Sequence, residues 1–421
     1  MHILMLAQFY APIIGGEERH VQDLCMELVK RGHQVTVATQ QTPGAPEFTI
    51  EQGIQIYRIK STTQRASWLY KQAERSHHPP LPDPEVSWAL RHIIQREQPD
   101  IVHAHNWLFY SFLPLKMWSG LPLVVSLHDY SFRCTQKRLM HSGALCSGPN
   151  LIKCISCAAN HYGSVKGTVT AITHRLSIPV VGAFVDMFLP VSQATAVGNG
   201  LMESELPYQI IPNFISDMAG SLQEDVDGFV SQLPKDGYLL FVGDLSKDKG
   251  VDVLVRAYAK LNDAPPLVLI GRQRPDTPSD LPRNVMLMGR WPHAAVMEAH
   301  RRSIFSMLPS VCPETFGIVV IEAMSMGKPV IASRIAGLAD VIIEGENGFL
   351  VRPGDVDALR ESMQQLIVDL QLRERMGQGA LRRAQDFRAS VVVPCFEAVY
   401  KKLLQTTAGT QSVNEHREVL S

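Results

Sequence analysis

Short apolar runs that alternate with helical patterns are the feature that most constrains what this chain can fold into. The first runs, His2 to Gln8 and Gln34 to Thr39, flank a stretch whose apolar residues recur at helical spacing up to Gly32. Further strand candidates in the first half are 54–60, 101–104 and 123–127. Strands that alternate with helices are joined by right-handed crossovers into a parallel sheet. We therefore predict a Rossmann-like α/β domain here.

The second half of the chain repeats this plan. Its strand candidates are 238–242, 267–270, 285–288, 304–308, 329–332 and 349–351. A chain of 421 residues suits two domains. We predict domains over 1–212 and 237–390, joined by a polar linker at 213–236. Ligands of open parallel sheets bind beyond the carboxyl ends of the strands, so a cleft between the two domains is the expected site.

The C-terminal segment has no strand candidate after its last helical pattern. That helix is predicted at about 391–404, and we expect it to pack back on the first domain. From Gln405 onward the sequence is polar and predicts a disordered tail.

Positive and negative charges nearly balance over the whole chain, but one segment has cations and no carboxylates. The formal net charge of -1 predicts no general attraction to nucleic acid. The segment 131–185 nevertheless contains no Asp or Glu, and its cations are Arg133, Lys137, Arg138, Lys153, Lys166 and Arg175. Such a segment suits anionic lipid or a phosphorylated acceptor, and a solvated basic loop is the alternative interpretation.

The N-terminus predicts a cytoplasmic location. Met1 leads directly into an apolar strand candidate, without the basic region and cleavage site of a signal peptide. The longest apolar stretch, 178–190, carries Asp186 and is too short to span a bilayer. We expect contact with a membrane, if there is any, to be peripheral and from the cytoplasmic side.

Several polar or glycine residues follow the strand candidates of the first half. Gly15 and Gly16 precede the first long helix, where the backbone can approach a ligand closely and the helix N-terminus favours an anion. His128 ends the strand at 123–127, and a histidine there can assist a reacting hydroxyl near neutral pH. His103 and His105 follow the apolar pair Ile101-Val102 in a similar way. An ordinary tight turn and structural histidines are the alternatives.

The strongest chemical signal lies in the second half. Lys249 follows a strand and can neutralise a diphosphate, although it also fits a solvated loop. Glu314 precedes a helix predicted at 316–326, whose first backbone N–H groups can hold phosphate or sugar oxygens. Glu322 lies on that helix among apolar residues, and a carboxylate in such surroundings requires a partner.

These residues belong to motifs that resemble a known family. The motifs are FYAPIIGGEERH, HAHNW, SLHDY, LPVSQAT, IIPNF, GDLSKDKG, PETFGIVVIEAMSMGKPVIAS and NGFLVRPGD. Together they extend from about Met1 to Leu404 and resemble the retaining glycosyltransferases of family four. That family has the GT-B fold, in which two Rossmann-like domains with parallel sheets face each other across a cleft.

The resemblance implies a role for each matching residue. Glu322 would bind the ribose hydroxyls, Glu314 the transferred sugar, and Lys249 the diphosphate. Backbone N–H groups would come from Phe316, Gly317, Ile318 and Val319. Gly15 and Gly16 would line the cleft and His128 would assist at the reacting centre. The resemblance also implies retention of the anomeric configuration and no catalytic metal.

Two positions depart from the family pattern. Gly243-Asp244 stands where Gly-Arg is common, which removes one diphosphate-binding cation. Arg272, Arg274 or Lys247 could replace it. The linker motif, usually Pro-Asn-Gly, has Phe214 after Asn213.

Four cysteines cluster in the first half, at positions 134, 146, 154 and 157. Four thiolates can hold a structural zinc ion, and a subset of the family carries a similar Cys-rich insertion, here at about 131–160. Free thiols, an iron–sulfur cluster and a disulfide pair are the alternatives. The expected metal ligands are Cys134, Cys146, Cys154 and Cys157.

The leading hypothesis is a retaining hexosyltransferase. It would move a sugar from a UDP-, GDP- or ADP-linked donor to a glycan or lipid-linked acceptor in polysaccharide or glycolipid assembly. A nucleotide-sugar epimerase on the same fold is one alternative. A non-catalytic nucleotide-sugar-binding partner, suggested by Asp244, is the other.

Overall fold

A computed structural model describes residues 1–13, 15–65, 78–217 and 226–418. The chain divides into two compact units. Unit 1 comprises Met1–Ile211 together with Val393–Ser421, and unit 2 comprises Pro212–Val392.

Unit 1 is built on a seven-stranded sheet in the order β3-β4-β2-β1-β5-β6-β9. All of its strand pairs are parallel except that of the edge strand β3 with β4. Its strands are β1 His2–Ala7, β2 Gln34–Gln40, β3 Phe48–Glu51, β4 Ile54–Ile59, β5 Ile101–Ala104, β6 Leu123–Leu127 and β9 Met187–Pro190. A separate hairpin pairs β7 Met140–His141 with β8 Ala144–Leu145. The central strands β1, β5 and β6 are buried along almost their whole length, as expected of parallel strands covered on both faces.

Helices connect the strands of unit 1. They are α1 Gly16–Lys30, α2 Thr62–Arg65, α3 Pro84–Glu97, α4 Leu113–Ser119, α5 Leu151–Tyr162, α6 Ser164–Phe184 and α7 Gln193–Gly198, with a 3₁₀ turn at Trp107–Ser111. The cap of α3 illustrates how the sequence starts these helices. The Asp83 side chain accepts hydrogen bonds from the Glu85 and Val86 amides, and Pro84 occupies the first turn.

Unit 2 contains an entirely parallel six-stranded sheet in the order β12-β11-β10-β13-β14-β15. Its strands are β10 Leu239–Val242, β11 Leu267–Ile270, β12 Val285–Gly289, β13 Phe305–Leu308, β14 Val330–Ser333 and β15 Gly348–Val351. Its helices are α8 Asp227–Val230, α9 Val251–Tyr258, α10 His293–Arg302, α11 Ile318–Ser325, α12 Leu338–Val341, α13 Val356–Val368 and α14 Leu370–Ala384. A 3₁₀ turn at Gln385–Phe387 precedes the last helix, α15 Ala389–Glu418.

The predicted fold class is confirmed: both halves are α/β units with parallel sheets, and every predicted strand is present with ends that differ by at most one residue. The sequence did not predict strand β9 or the short strands β3, β7 and β8. The apolar run 178–190 is divided in the structure, because α6 ends at Phe184 and β9 begins at Met187. Between them Asp186 accepts hydrogen bonds from the Leu123 amide and the Lys116 ammonium.

Part of the predicted linker, residues 218–225, lies outside the described residues. The residues on either side of that gap are packed into unit 2. Phe214 and Ile215 are buried, and the Ile215 amide donates to the Phe387 carbonyl. Val230 and Leu233 join a core cluster with Tyr238. Apolar side chains within a polar segment account for this difference from the prediction.

Helix α15 belongs to unit 2 only as far as Val392. In unit 1 the Tyr400 hydroxyl lies 2.7 Å from His103 Nδ1, and Glu397 accepts from His33 at 2.8 Å. The helical backbone continues to Glu418, whereas the sequence predicts a disordered tail from Gln405. No proline follows Pro394 in this segment, so each added residue can extend the hydrogen-bonded helix.

Among the described helices we find none with the length and apolar character needed to cross a lipid bilayer.

Candidate functional site

In unit 2, the loops that follow neighbouring strands β10 and β13 meet at the carboxyl edge of the sheet. The Val311 amide donates to the Asp248 carbonyl at 2.9 Å. Gly250 has a φ of +71°, and a Cβ atom on it would lie 1.9 Å from the Pro309 carbonyl oxygen. Both the left-handed backbone and the close approach therefore require glycine at this position. The two loops are thereby held together, and each contributes a charged side chain.

Those side chains are Lys249 and Glu314, which the structure brings into direct contact. Lys249 Nζ donates to Glu314 Oε1 at 2.5 Å, and Ser310 Oγ donates to the same oxygen at 2.8 Å. Burial alone would lower the pKa of Lys249, but the Glu314 carboxylate outweighs it and raises that pKa. The ammonium therefore stays charged at neutral pH. Ser310 was not predicted, because a lone serine after a strand carries no distinctive signal.

Glu322 has the partner that its apolar surroundings require. The residue lies on α11 and is only 6% exposed. His293, the first residue of α10, donates from Nε2 to Glu322 Oε1 at 2.8 Å. The same carboxylate favours the charged form of nearby His300, although burial is the dominant effect and lowers the pKa of His300 to about 4. Sequence reasoning missed His293, which is distant along the chain.

The N-terminus of α11 differs slightly from the prediction. The helix begins at Ile318, and Gly317 caps it with a φ of +85°. Phe316 is predicted to offer its backbone, and its side chain is buried against Phe387 with ring centroids 5.5 Å apart. The amides of Ile318 and Val319 lie in the first turn of the helix, where no intrahelical acceptor exists for them.

Asp244, at the position that departs from the family pattern, forms an ion pair. Arg274 Nε lies 3.2 Å from Asp244 Oδ2. Arg272 is exposed, and its carbonyl accepts from the Leu245 amide at 2.8 Å. Lys247 donates its amide to Asp276. Of these three cations, Arg274 is the one that lies against Asp244.

In unit 1, Gly15 and Gly16 lead into α1 as predicted. Gly15 has an ordinary extended backbone, with φ at −140°. Glu17 and Glu18 occupy the first turn, and the Glu18 carboxylate interacts favourably with the helix dipole and repels a second anion. The helix N-terminus is therefore less suited to an anionic ligand than the sequence alone indicates.

Glu17 is a titratable residue of this region that the sequence analysis did not single out. Its Oε1 accepts a hydrogen bond from Asn106 Nδ2 at 3.0 Å. Burial, followed by repulsion from Asp129 and Glu18, raises the pKa of Glu17 to about 8. A carboxyl group with such a pKa is largely protonated at pH 7 and can exchange a proton near neutrality.

His128 lies just after β6, as predicted, and joins a cluster of histidines. His105 Nδ1 and His128 Nε2 are 3.0 Å apart, and the ring centroids of His20 and His128 are 5.0 Å apart. His103 lies within β5, where its ring contacts that of His105 with centroids 4.1 Å apart. The parallel pairing of β5 with β6 places these residues side by side.

Burial keeps most of this cluster neutral. His103 Nδ1 faces the Tyr400 hydroxyl and its Nε2 faces Ser126 Oγ at 2.8 Å. Burial, reinforced by His128, lowers the pKa of His103 to about 3. Burial likewise lowers the pKa values of His20 and His105. His103 is therefore a structural hydrogen-bonding residue, which was one of the alternatives for it.

The four clustered cysteines come into one region around the β7–β8 hairpin and the first turns of α5. Burial, followed by the neighbouring thiols of Cys134, Cys146 and Cys154, raises the pKa of the Cys157 thiol. Burial also raises the pKa of the Cys134 thiol, and the backbone groups of Leu139, Gln136 and Arg138 offset this only in part. Over the described ranges, no three His, Cys, Asp or Glu side chains are arranged to hold a metal ion.

Two family models match this chain, one in each half. Residues 14–195 match "Glycosyltransferase Family 4", and residues 225–383 match "Glycosyl transferases group 1". The glycogen synthase of Mycobacterium tuberculosis (strain CDC 1551 / Oshkosh) is 24% identical over 451 residues, covering 95% of this chain and 94% of that protein.

Solved structures share the fold over nearly the whole chain. Sucrose-phosphate synthase from Thermosynechococcus elongatus aligns with a TM-score of 0.72 and 19% identity, over 96% of this chain and 100% of that one. HepE from Anabaena, solved in complex with UDP, aligns with a TM-score of 0.68 and 18% identity, over 96% and 100%. Both likenesses concern the fold.

The buried histidines predict that acid destabilises unit 1. His103 stays neutral in the folded chain down to about pH 3, whereas a histidine in the unfolded chain is protonated below about 6.5. Unfolding then takes up a proton, so each such histidine lowers the free energy of unfolding by about 1.4 kcal/mol per pH unit below 6.5. Above pH 7 this contribution is constant.

The measurement is chemical denaturation between pH 7 and pH 4. We expect His103→Gln to unfold with a shallower pH dependence than the wild type, whatever its stability at pH 7. Exposed His92 supplies the control, since His92→Gln should retain the wild-type slope. His174, whose pKa burial lowers to about 4, gives a second test should His103→Gln not fold. Unchanged slopes in both buried-site variants would contradict this assignment.

Proposed function

We propose that this chain, a glycosyltransferase with the GT-B fold, is a retaining hexosyltransferase of family four with a nucleotide-sugar donor. The observation that carries the proposal is the Lys249–Glu314 ion pair of unit 2, together with the buried Glu322 on α11. These residues combine a charged ammonium, a carboxylate hydrogen-bonded by it, and a buried carboxylate in the second turn of α11. A diphosphate-linked sugar presents the matching groups, an anion and several hydroxyls.

Each part of the donor is assigned to groups of unit 2. The Lys249 ammonium neutralises the diphosphate, together with the amides of Gly317, Ile318 and Val319 and the cation of Arg274 or Arg272. The Glu322 carboxylate, oriented by His293, accepts the ribose hydroxyls. Lys249 and Ser310 both donate to Glu314 Oε1, and Glu314 Oε2 accepts a hydroxyl of the transferred sugar.

In the reaction, an acceptor hydroxyl oxygen forms a bond to the anomeric carbon of the sugar. The bond from that carbon to the diphosphate oxygen breaks, and its electron pair leaves with the nucleoside diphosphate. The acceptor hydroxyl gives up its proton to the departing diphosphate oxygen. Charge therefore accumulates on the diphosphate, where a prepositioned cation is most effective. We assign His128, whose ring is held by His105, to the reacting hydroxyl, and Gly15 and Gly16 to the lining of the acceptor side.

We propose a glycan or lipid-linked acceptor in polysaccharide or glycolipid assembly, used at the cytoplasmic side of a membrane. The support is the segment 131–185 of unit 1, which contains cations and no carboxylates. Such a segment attracts a phosphorylated or membrane-bound acceptor.

Two other functions have less support than transfer. Nucleotide-sugar epimerisation has no support among the relatives described above. A non-catalytic donor-binding protein was suggested by Asp244, but Arg274, from the loop after β11, pairs with that carboxylate and neutralises its charge. Transfer is therefore favoured.

Donor binding is tested first. Thermal denaturation with UDP-, GDP- and ADP-sugars should show stabilisation by one donor class and slow release of its nucleoside diphosphate. Glu322→Gln should weaken that donor by about 10- to 100-fold, since it removes charge-assisted hydrogen bonds. Glu361→Gln, on an exposed face of α13, is the matched control. Equal affinity in Glu322→Gln and wild type would remove Glu322 from the donor site.

Glu314 is tested by turnover. Because its assigned contact orients the sugar as the glycosidic bond forms, Glu314→Gln should lower kcat on the order of 100-fold with a smaller effect on donor affinity. Steady-state kinetics and calorimetric donor titration separate the two quantities. A loss confined to affinity would assign Glu314 to ground-state donor binding.

We also propose a structural zinc ion bound by Cys134, Cys146, Cys154 and Cys157. Support comes from the proximity of the four thiols. Binding would require the sulfur atoms to move together. The ion would hold the hairpin and α5 in place and would take no part in the transfer.

Elemental analysis of the purified chain tests this assignment. We expect about one zinc ion per chain, which Cys154→Ser with Cys157→Ser should abolish. Cys395→Ser, in α15, should leave the zinc content unchanged. If the wild type contains no metal after expression in zinc-supplemented medium, the four cysteines are free thiols and the zinc assignment is wrong.

A further inference from the structure

Helix α6 carries apolar residues on two opposite faces. One face is buried in unit 1 and includes Gly167, Ala171, His174 and Val181. The other face is exposed and bears five aliphatic side chains, with exposed fractions of 81% for Val165, 53% for Val169, 39% for Ile172, 71% for Leu176 and 47% for Val180. We call these five residues the α6 stripe. A helix that is apolar all round is normally buried all round, so the exposure of this stripe demands an explanation.

The α6 stripe forms one continuous line. Its residues are separated by three or four positions, which places them on one side of the helix over about 22 Å. The opposite face is occupied by α5, which approaches so closely that a Cβ atom on Gly167 would lie 2.3 Å from the Ala158 carbonyl oxygen. The stripe is therefore the face of α6 that points away from α5.

Cations flank the stripe. A rotation of about 100° per residue places exposed Lys166 along one side of it and exposed Arg175 along the other. The helix belongs to the segment 131–185, which has no Asp or Glu. Leu145, Leu151 and Ile152, which precede α6 in the same region, are exposed as well. An exposed apolar stripe with a cation on either side is a pattern found in helices that lie in a membrane surface.

We propose that unit 1 docks onto a bilayer containing anionic lipid through the α6 stripe. The aliphatic side chains enter the boundary between headgroups and acyl chains, and Lys166 and Arg175 contact the lipid phosphates. Anionic lipid is favoured over a second copy of the chain, because a two-fold interface centred on the stripe would bring the cations of both copies together without carboxylates from this segment.

Vesicle sedimentation tests the proposal with the full-length chain. Wild-type protein should sediment with phosphatidylglycerol-containing vesicles and much less with phosphatidylcholine vesicles. Val169→Asp with Leu176→Asp should weaken binding by about tenfold or more, since two aliphatic anchors become anions. Lys166→Gln with Arg175→Gln should weaken binding to the anionic vesicles by about tenfold and reduce its salt dependence.

Val368→Asp supplies the matched control, because Val368 is 68% exposed on α13 of unit 2. This variant should bind vesicles like the wild type. Thermal denaturation identifies any variant that fails to fold, and the glutamine pair then tests the surface without a carboxylate in the stripe. Equal vesicle binding by all variants would overturn the proposal. So would a wild type that ignores vesicles and instead self-associates through the stripe.

The proposal goes beyond sugar transfer and names the surface at which a lipid-linked acceptor would be met. Vesicle binding is measured without donor or acceptor, so its absence would leave the proposed transfer intact. Conversely, an inactive enzyme that still binds anionic vesicles through the stripe would contradict the proposed function alone.

Discussion

The parallel pairing of buried strands is the constraint on which the rest of this protein depends. In unit 2, β10 lies beside β13 with Phe241 opposite Met307, and both strands end at the same edge of the sheet. The loops that follow must then share a small space, which is why Gly250 can carry no side chain against Pro309. The same close approach of the two loops places Lys249 against Glu314. An ion pair there leaves a charged ammonium fixed at the edge of a sheet, where the carboxyl ends of parallel strands hold ligands.

Unit 1 uses the same constraint for a different purpose. Strands β5 and β6 pair with His103 opposite Val124, so residues at and beyond their ends converge. His105 thereby reaches His128, and His20 joins them from α1. Burial holds His20, His103 and His105 neutral, which makes the cluster a rigid support for His128. The stability of this support depends on pH, because neutral buried histidines cost free energy once the unfolded chain can be protonated.

Helix α6 has one face that is buried in unit 1 and an opposite face that is exposed. Gly167 and His174 face the interior, and Thr135 Oγ1 lies 3.2 Å from His174 Nδ1. Val165 and Leu176 face outward and are exposed. The β7–β8 hairpin, the four clustered cysteines and α5 precede this helix in the chain. A basic, apolar surface and a cluster of thiols therefore occupy the same segment, the one without carboxylates.

The sequence by itself determined the α/β class, the two-unit plan and nearly all of the strands, because buried parallel strands are continuous apolar runs that local reading detects. It also singled out Lys249, Glu314, Glu322 and His128 as candidates, from their places beside strands or on a helix and from the family motifs that contain them. Only the tertiary structure decided their partners: Ser310 and Lys249 for Glu314, His293 for Glu322, and Arg274 for Asp244. It also decided that the apolar residues of α6 divide between an inner and an outer face. Contacts between residues far apart along the chain arise from strand order and helix packing, and no local pattern encodes them.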